Sequence, residues 1–281
     1  MRINKKILIP IILIICGVWV YNIAIFVGSK IEEPLFLIQD SDTDEYGSVN
    51  IKYLENIHSK DPIQKVEFPE IGDTTINTIH NRIYSKNNVS FNELDIVLSD
   101  ISISNFDENG NVLITKMIYE TSSGKRKEVN IGEIIVSKAF VYDKKYKILS
   151  QNGMSGSSAG EGKEFYNTKD NLEITDIESE HLNDINRFFE VFIGTEKLEN
   201  IDLPITVNRG YPIEISYKIK DGLTRDDFKV DQYNMDLKLK CSDPEGTIDY
   251  ITVNLNAGIE SIKGITNPMF IKEMKNRLEV K

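Results

Sequence analysis

Hydrophobic positions along the chain form one long apolar block, followed by many short runs in which apolar and polar residues alternate. The block, residues 7–28, carries no charge. As a helix it would be about 33 Å long, enough to span a bilayer core of roughly 30 Å. Arg2, Lys5 and Lys6 precede it, and Lys30 behind it is followed at once by Glu32 and Glu33. The basic side is expected to stay in the cytoplasm, with everything after Lys30 extracytoplasmic. The pattern therefore predicts a single-pass protein of the cell membrane, with a cytoplasmic stub and an uncleaved signal-anchor over residues 1–30.

Other readings of the block are weaker. A cleaved secretory signal would use the small residues Val27 and Ser29, and cleavage near Ser29 would release a soluble binding protein. Signal peptides, however, usually carry an apolar region of only about 7–15 residues. A lipoprotein reading would use Cys16, but the residue before such a cysteine is small and Ile15 is not. A buried core helix fails because nothing else in this polar chain could surround a helix that is apolar on every face.

Beyond the block, residues 31–47 read as an acidic, solvated linker ending in Gln-Asp-Ser-Asp-Thr-Asp-Glu-Tyr-Gly. From 48 to about 177 the period is two, which argues for strands in a β-rich domain. Within it, 74–84 is open between a short helix, from the spacing of Ile76, Ile79 and Ile83, and a strand, from its β-branched content. Asp107-Glu108-Asn109-Gly110-Asn111 is a turn signal, because Asn-Gly supplies positive φ angles cheaply. Residues 112–120 and 128–137 follow as strands. Residues 152–163, rich in glycine and serine, read as a mobile surface loop.

A short helix is expected near 175–193, where Leu182, Ile185, Phe189 and Phe192 share a face and Thr175 with Glu178 could form a capping box, although Phe189, Val191 and Ile193 also alternate, so that its end could already be a strand. Residues 178–197 are thus read as a helical connector. The unit 198–266 alternates most cleanly: Ile213, Ile215, Tyr217 and Ile219, then Met235, Leu237, Leu239 and Cys241, then Ile251, Val253 and Leu255. It reads as a small β-sandwich, immunoglobulin-like by analogy alone. Asn267-Pro268 marks a boundary, and the tail 267–281 could hold a short amphipathic helix. The fold class expected is mainly β: an N-terminal transmembrane helix, then two antiparallel β-sandwich-like domains.

Charge narrows the partners. The net charge is −11, and residues 1–30 contribute Arg2, Lys5, Lys6 and Lys30 with no acid, so the remainder carries −15. Such a body repels phosphate backbones, which disfavours nucleic acid. The two cysteines, Cys16 and Cys241, lie far apart and give no disulfide framework. Cys241 ends an alternating run and reads as a core residue.

Candidate chemistry is sparse. Asp40, Asp42 and Asp44 have the spacing that opens a calcium loop, but Glu45 stands where that loop needs glycine and Ile51 where it needs glutamate. Gly156-Ser157-Ser158-Ala159-Gly160 matches the nucleophile-elbow string, with Ser158 as nucleophile and His181 the only downstream histidine; the flanks are polar, where an elbow needs a buried strand and an apolar helix. Gly162-Lys163 fails as a phosphate loop because Glu164 follows where serine or threonine is required. His58, His80 and His181 are scattered without metal-ligand spacing.

No catalytic, cofactor-binding or metal-binding residue is assigned on this basis. The reading is a non-enzymatic binding or scaffolding module at the bacterial cell surface, held to the membrane by its N-terminal helix and meeting a protein or cell-envelope partner. The alternatives are an exported serine hydrolase using Ser158 and a secreted protein cleaved near Ser29.

Overall fold

The computed structural model describes residues 5–44, 47–72, 75–86, 88–99, 105–108, 110–138, 148–156, 160–258 and 268–279. Strands dominate these residues, and they form three sheets. The first sheet runs β1 (Leu35–Phe36), β3 (Ser48–Asn56), β6 (Val89–Ser99), β5 (Thr75–Lys86). The second is the largest. Its order is β14 (Ile205–Val207), β11 (Leu172–Glu178), β16 (Gln232–Ser242), β2 (Gln39–Asp44), β8 (Arg126–Ser137), β7 (Asn111–Thr121), β4 (Ile63–Glu67), with β17 (Ile248–Gly258) also paired to β16. The third sheet runs β13 (Glu196–Lys197), β12 (Phe189–Ile193), β15 (Pro212–Ile219), β10 (Glu161–Thr168), β9 (Leu149–Gly156).

Two large cores use opposite faces of the second sheet. The first core packs Val49, Ile51, Leu94 and Ile96 of the first sheet against Ile114, Met117, Tyr119 and Ile134 of β7 and β8. The second core packs Ile174, Met235, Leu237, Leu239 and Val253 of the second sheet against Phe189, Val191, Ile213 and Ile215 of the third. Register locates the change of face at β2. Ser41 lies opposite Ile134 of the first core, whereas its neighbour Asp40 lies opposite Tyr233 of the second. Successive side chains of a strand point to opposite faces, so each side of β2 looks toward a different core.

β2 is also parallel to both of its neighbours, while the other ladders are antiparallel. Its six residues, Gln-Asp-Ser-Asp-Thr-Asp, hold no apolar side chain, yet Gln39, Ser41 and Asp42 are buried. The solvated linker expected over 31–47 is corrected accordingly: it supplies β1 and the strand that joins the two halves of the largest sheet. Gly132 makes the close approach of β8 possible, since a Cβ there would stand 1.8 Å from the Gln39 carbonyl oxygen and its φ is +100°.

Three α-helices stand beside the sheets among the described residues. α1 spans Lys5–Ser29, and the candidate cleavage position Ser29 is its last residue. Among the described residues, no helix is long and apolar enough to cross a membrane. The expected transmembrane anchor is thereby overturned, and with it the single-pass cell-membrane location.

α2 is only Leu182–Phe188. The longer helix expected near 175–193 is cut at both ends, because 172–178 pairs with β14 and β16, and Phe189 turns to φ −117°, ψ 150° to begin β12. α3, Pro268–Glu279, matches the expected terminal helix. It buries Phe270, Ile271 and Met274 against Ile31, Leu35, Leu37, Leu54, Val89 and Phe91, forming a third core.

Elsewhere the alternation is realised as read. β16 and β17 form a hairpin whose turn is held by Asp243, which accepts hydrogen bonds from the N–H groups of Glu245 and Thr247. Residues 75–86 settle as strand rather than helix. The Gly/Ser segment 152–163 is corrected too, since β9 and β10 pair through it with Gly156 opposite Gly162.

Candidate functional site

Two places combine polar chemistry with defined geometry. The first is the seam where β2 meets β16 and α2. At its start the Asp231 carboxylate, on a residue 1% exposed, accepts the Ile38 N–H at 2.9 Å, while the Asp231 N–H donates back to the Ile38 carbonyl at 2.7 Å. Further along, His181 Nε2 lies 3.2 Å from Asp42 Oδ1 and 3.5 Å from Asp40 Oδ1. The histidine is 9% exposed. The other oxygen of Asp42 takes the Asp236 N–H at 3.4 Å.

The electrostatics follow from that geometry. The hydrogen bond to Asp42 raises the His181 pKa above its ordinary value, against the opposing effect of burial. Burial raises Asp40, and burial likewise raises Asp236. Desolvation disfavours the charged form of each of these groups, and it is the hydrogen bond to Asp42 and the negative charges beside it that favour the imidazolium. Asp40 and Asp42 are thus brought together with a histidine, 139 residues from Asp42, that sequence spacing could not have linked to them. Asp40, Asp42 and His181 compose no cluster of three or more ligands arranged to hold a metal, and none is found among the described residues.

The second place is a groove of about 400 Å³ on the third sheet. Its floor is a row of directly paired residues across four strands: Phe192 opposite Ser216, Ser216 opposite Lys163, Lys163 opposite Ser155. Small residues, Ser155, Gly156, Gly162 and Ser216, keep the floor low, and Phe192, Lys163 and Lys218 form the walls. Gly162 is required by packing, because a Cβ there would come within 2.3 Å of the Tyr217 ring.

Both lysines of the groove are neutralised by neighbours. Lys163 Nζ lies 2.8 Å from Glu214 and Lys218 Nζ 2.9 Å from Glu190. The hydrogen bond to Lys218 holds the Glu190 carboxyl below its usual range. The groove therefore offers hydroxyls, paired ammonium and carboxylate groups and one aromatic side chain, but little net field for an anion. Its signal in the sequence was the Gly/Ser stretch taken for a loop.

Ser158 lies outside the described residues. Its described flanks are both strands, with Gly156 ending β9 and Glu161 beginning β10, whereas a nucleophile elbow leads into a helix. His181 is engaged at the seam, His58 lines a second, polar pocket beside Glu33 and Asp61, and His80 sits on β5. Cys241 is buried in the second core, its thiol pushed up to about 12 by burial, and Cys16 is free and exposed.

No protein-family model matches the chain, and no curated protein matches it. Among solved structures, the YadV chaperone aligns with 8% identity over 79% of this chain and 99% of its own, at a TM-score of 0.24. A Porphyromonas gingivalis W83 protein of unknown function aligns with 8% identity over 80% and 96%, at 0.24. Fibronectin(III)-like modules of Clostridium thermocellum CbhA align with 13% identity over 79% and 92%, at 0.20. Overlaps this loose assign neither a family nor a role.

Proposed function

We propose that the chain is a non-enzymatic binding module, and that its ligand lies along the groove of the third sheet. On this reading each large core with its two facing sheets acts as a β-sandwich-like domain. The observation that carries the proposal is the cross-strand row Phe192, Ser216, Lys163 and Ser155 forming a floor and wall on four adjacent strands. A rigid sheet face positions such groups better than a loop does.

The ligand class follows from the charges. A phosphate or sulfate would be repelled by the Glu214 and Glu190 carboxylates that neutralise the lysines, within a chain of net charge −11. A neutral, hydroxyl-rich ligand meets no such repulsion: each ammonium has donors to spare, serine hydroxyls both donate and accept, and the Phe192 ring can take the apolar face of a sugar. The ligand is therefore a neutral oligosaccharide, not a nucleic acid.

The test is an amide chemical-shift titration with cellohexaose and chitohexaose, beside a heparin hexasaccharide and inorganic phosphate. Shifts centred on Ser155, Lys163, Phe192, Ser216 and Lys218 with a neutral sugar, weakened about tenfold or more by Phe192→Ala, are expected. Stronger response to the anions, or no response in the groove, overturns the proposal.

A further inference from the structure

We infer that the contact of His181 with Asp40 and Asp42 is a proton-operated latch, closing the β2–β16 seam when the imidazole is charged and loosening it when the charge is lost. Three features of the seam argue for this.

The first is what holds the seam together. β2 contributes no apolar side chain, so its attachment to β16 rests on backbone pairing at Gln39, Asp40 and Ser41 and on polar side chains. Among the described residues, Gln39 Nε2, Gln232 Oε1 and Asn234 Oδ1 are buried without hydrogen-bond partners. Unsatisfied groups of this kind regain water when the seam opens, which lowers the cost of opening. The seam can therefore separate while the apolar cores on either side stay intact.

The second is the balance of charge around His181. Asp40 and Asp42 face it from β2 and Asp184 from α2; Glu133 of β8 adds to the field at Asp40. Tyr233 of β16 lies near Asp184 and Asp40. Across the strand, Asp236 feels Asp42 and Asp44, offset in part by Lys238 and by a hydrogen bond from Asn254. Apart from Lys238, every charged group named around the seam is an acid. A protonated His181 is the cation in contact with Asp40 and Asp42; once it is neutral, a half-buried carboxylate and a buried one are left side by side.

The third is location. His181 caps the start of α2, whose Ile185 and Phe188 are rooted in the second core, while Asp40 and Asp42 belong to a strand paired along its length with β8 of the first. A change at this contact bears on how the two halves are held together.

The sign is set by the shifts. His181 has a folded value above 6.5, so its contribution is complete below that pH and is lost as pH rises through the raised value. Asp40 and Asp236, raised above 3.8, act in the same direction lower on the scale. Rising pH through the range in which His181 loses its proton therefore loosens the seam.

Hydrogen exchange of the full chain, corrected for intrinsic pH dependence, tests the latch. Between about pH 5.5 and pH 9, protection of amides 39–44 and 232–236 should fall roughly tenfold or more, while that of β3 and β6 stays constant. His181→Gln should give the loosened level at both pH values. Asp42→Asn, which keeps the imidazole but removes its counter-charge, should do the same and serves if the first variant does not fold. Equal protection at both pH values, loss spread evenly over β3 and β6, or a pH response surviving in both variants overturns the latch.

Discussion

Strand β16 has two very different neighbours. Toward β17 it forms an antiparallel hairpin in which Met235, Leu237, Leu239 and Cys241 are buried beside Ile251, Val253 and Leu255. Toward β2 it forms a short parallel ladder with Gln39, Asp40 and Ser41, where the same backbone is met by amides, hydroxyls and carboxylates. The hairpin is local, closed by a four-residue turn, and paid for by apolar burial. The ladder joins segments 193 residues apart and depends on a few polar contacts such as Asp231 with Ile38. One edge of a strand can thus be fixed by hydrophobic area, and the other by charge and close approach.

Four substitutions sharpen that contrast, from the largest effect to the smallest. Gly132→Ala should be the most damaging, by at least about 4 kcal/mol in urea unfolding, because it combines a clash with the Gln39 backbone and a left-handed φ. If it is tolerated, the close approach of β2 to β8 is not a constraint on the fold. Leu237→Ala, in the core face of the hairpin, should cost about 3 kcal/mol through lost burial and a cavity. A cost under about 1 kcal/mol would show that the hairpin side is not held by its apolar face.

Asp231→Ala leaves the Ile38 N–H without its carboxylate and should cost about 2 kcal/mol. Its exchange signature should be confined to β2 and the start of β16; a uniform loss would place Asp231 in the general core. The smallest effect is expected from Asp61→Asn. That carboxylate accepts hydrogen bonds from the Ser123 hydroxyl and N–H and from the Thr121 and Ser122 hydroxyls, and its pKa is lowered to about 2 chiefly by the Ser123 hydroxyl. The gap in urea midpoint between wild type and variant should be full above pH 3.8 and close as pH falls toward about 2. A gap independent of pH would mean that the carboxylate charge contributes nothing.

The same contrast explains what could be read from the sequence. The β16–β17 hairpin was legible because strict alternation and Asp243-Pro244-Glu245-Gly246 state both its faces and its turn. β2 was not, because Gln-Asp-Ser-Asp-Thr-Asp carries no apolar period and its partners lie far along the chain. The connector was only half legible: Leu182, Ile185 and Phe189 have helical spacing while Phe189, Val191 and Ile193 alternate, and pairing with β15 decided the end in favour of strand. The groove was hidden for a third reason, since serine and glycine on a sheet look like a loop until a neighbour such as the Tyr217 ring shows why no side chain fits.

The position of β2 also has a consequence for the growing chain on the ribosome. This segment is made early, yet the residues that complete its ladder emerge almost two hundred positions later, and α3, which covers Leu35 and Leu37 just ahead of it, is translated later still. Until then a hydrophilic ribbon with open backbone groups must wait beside β8. Its lack of greasy side chains, a handicap for holding the finished molecule together, makes that wait a safe one.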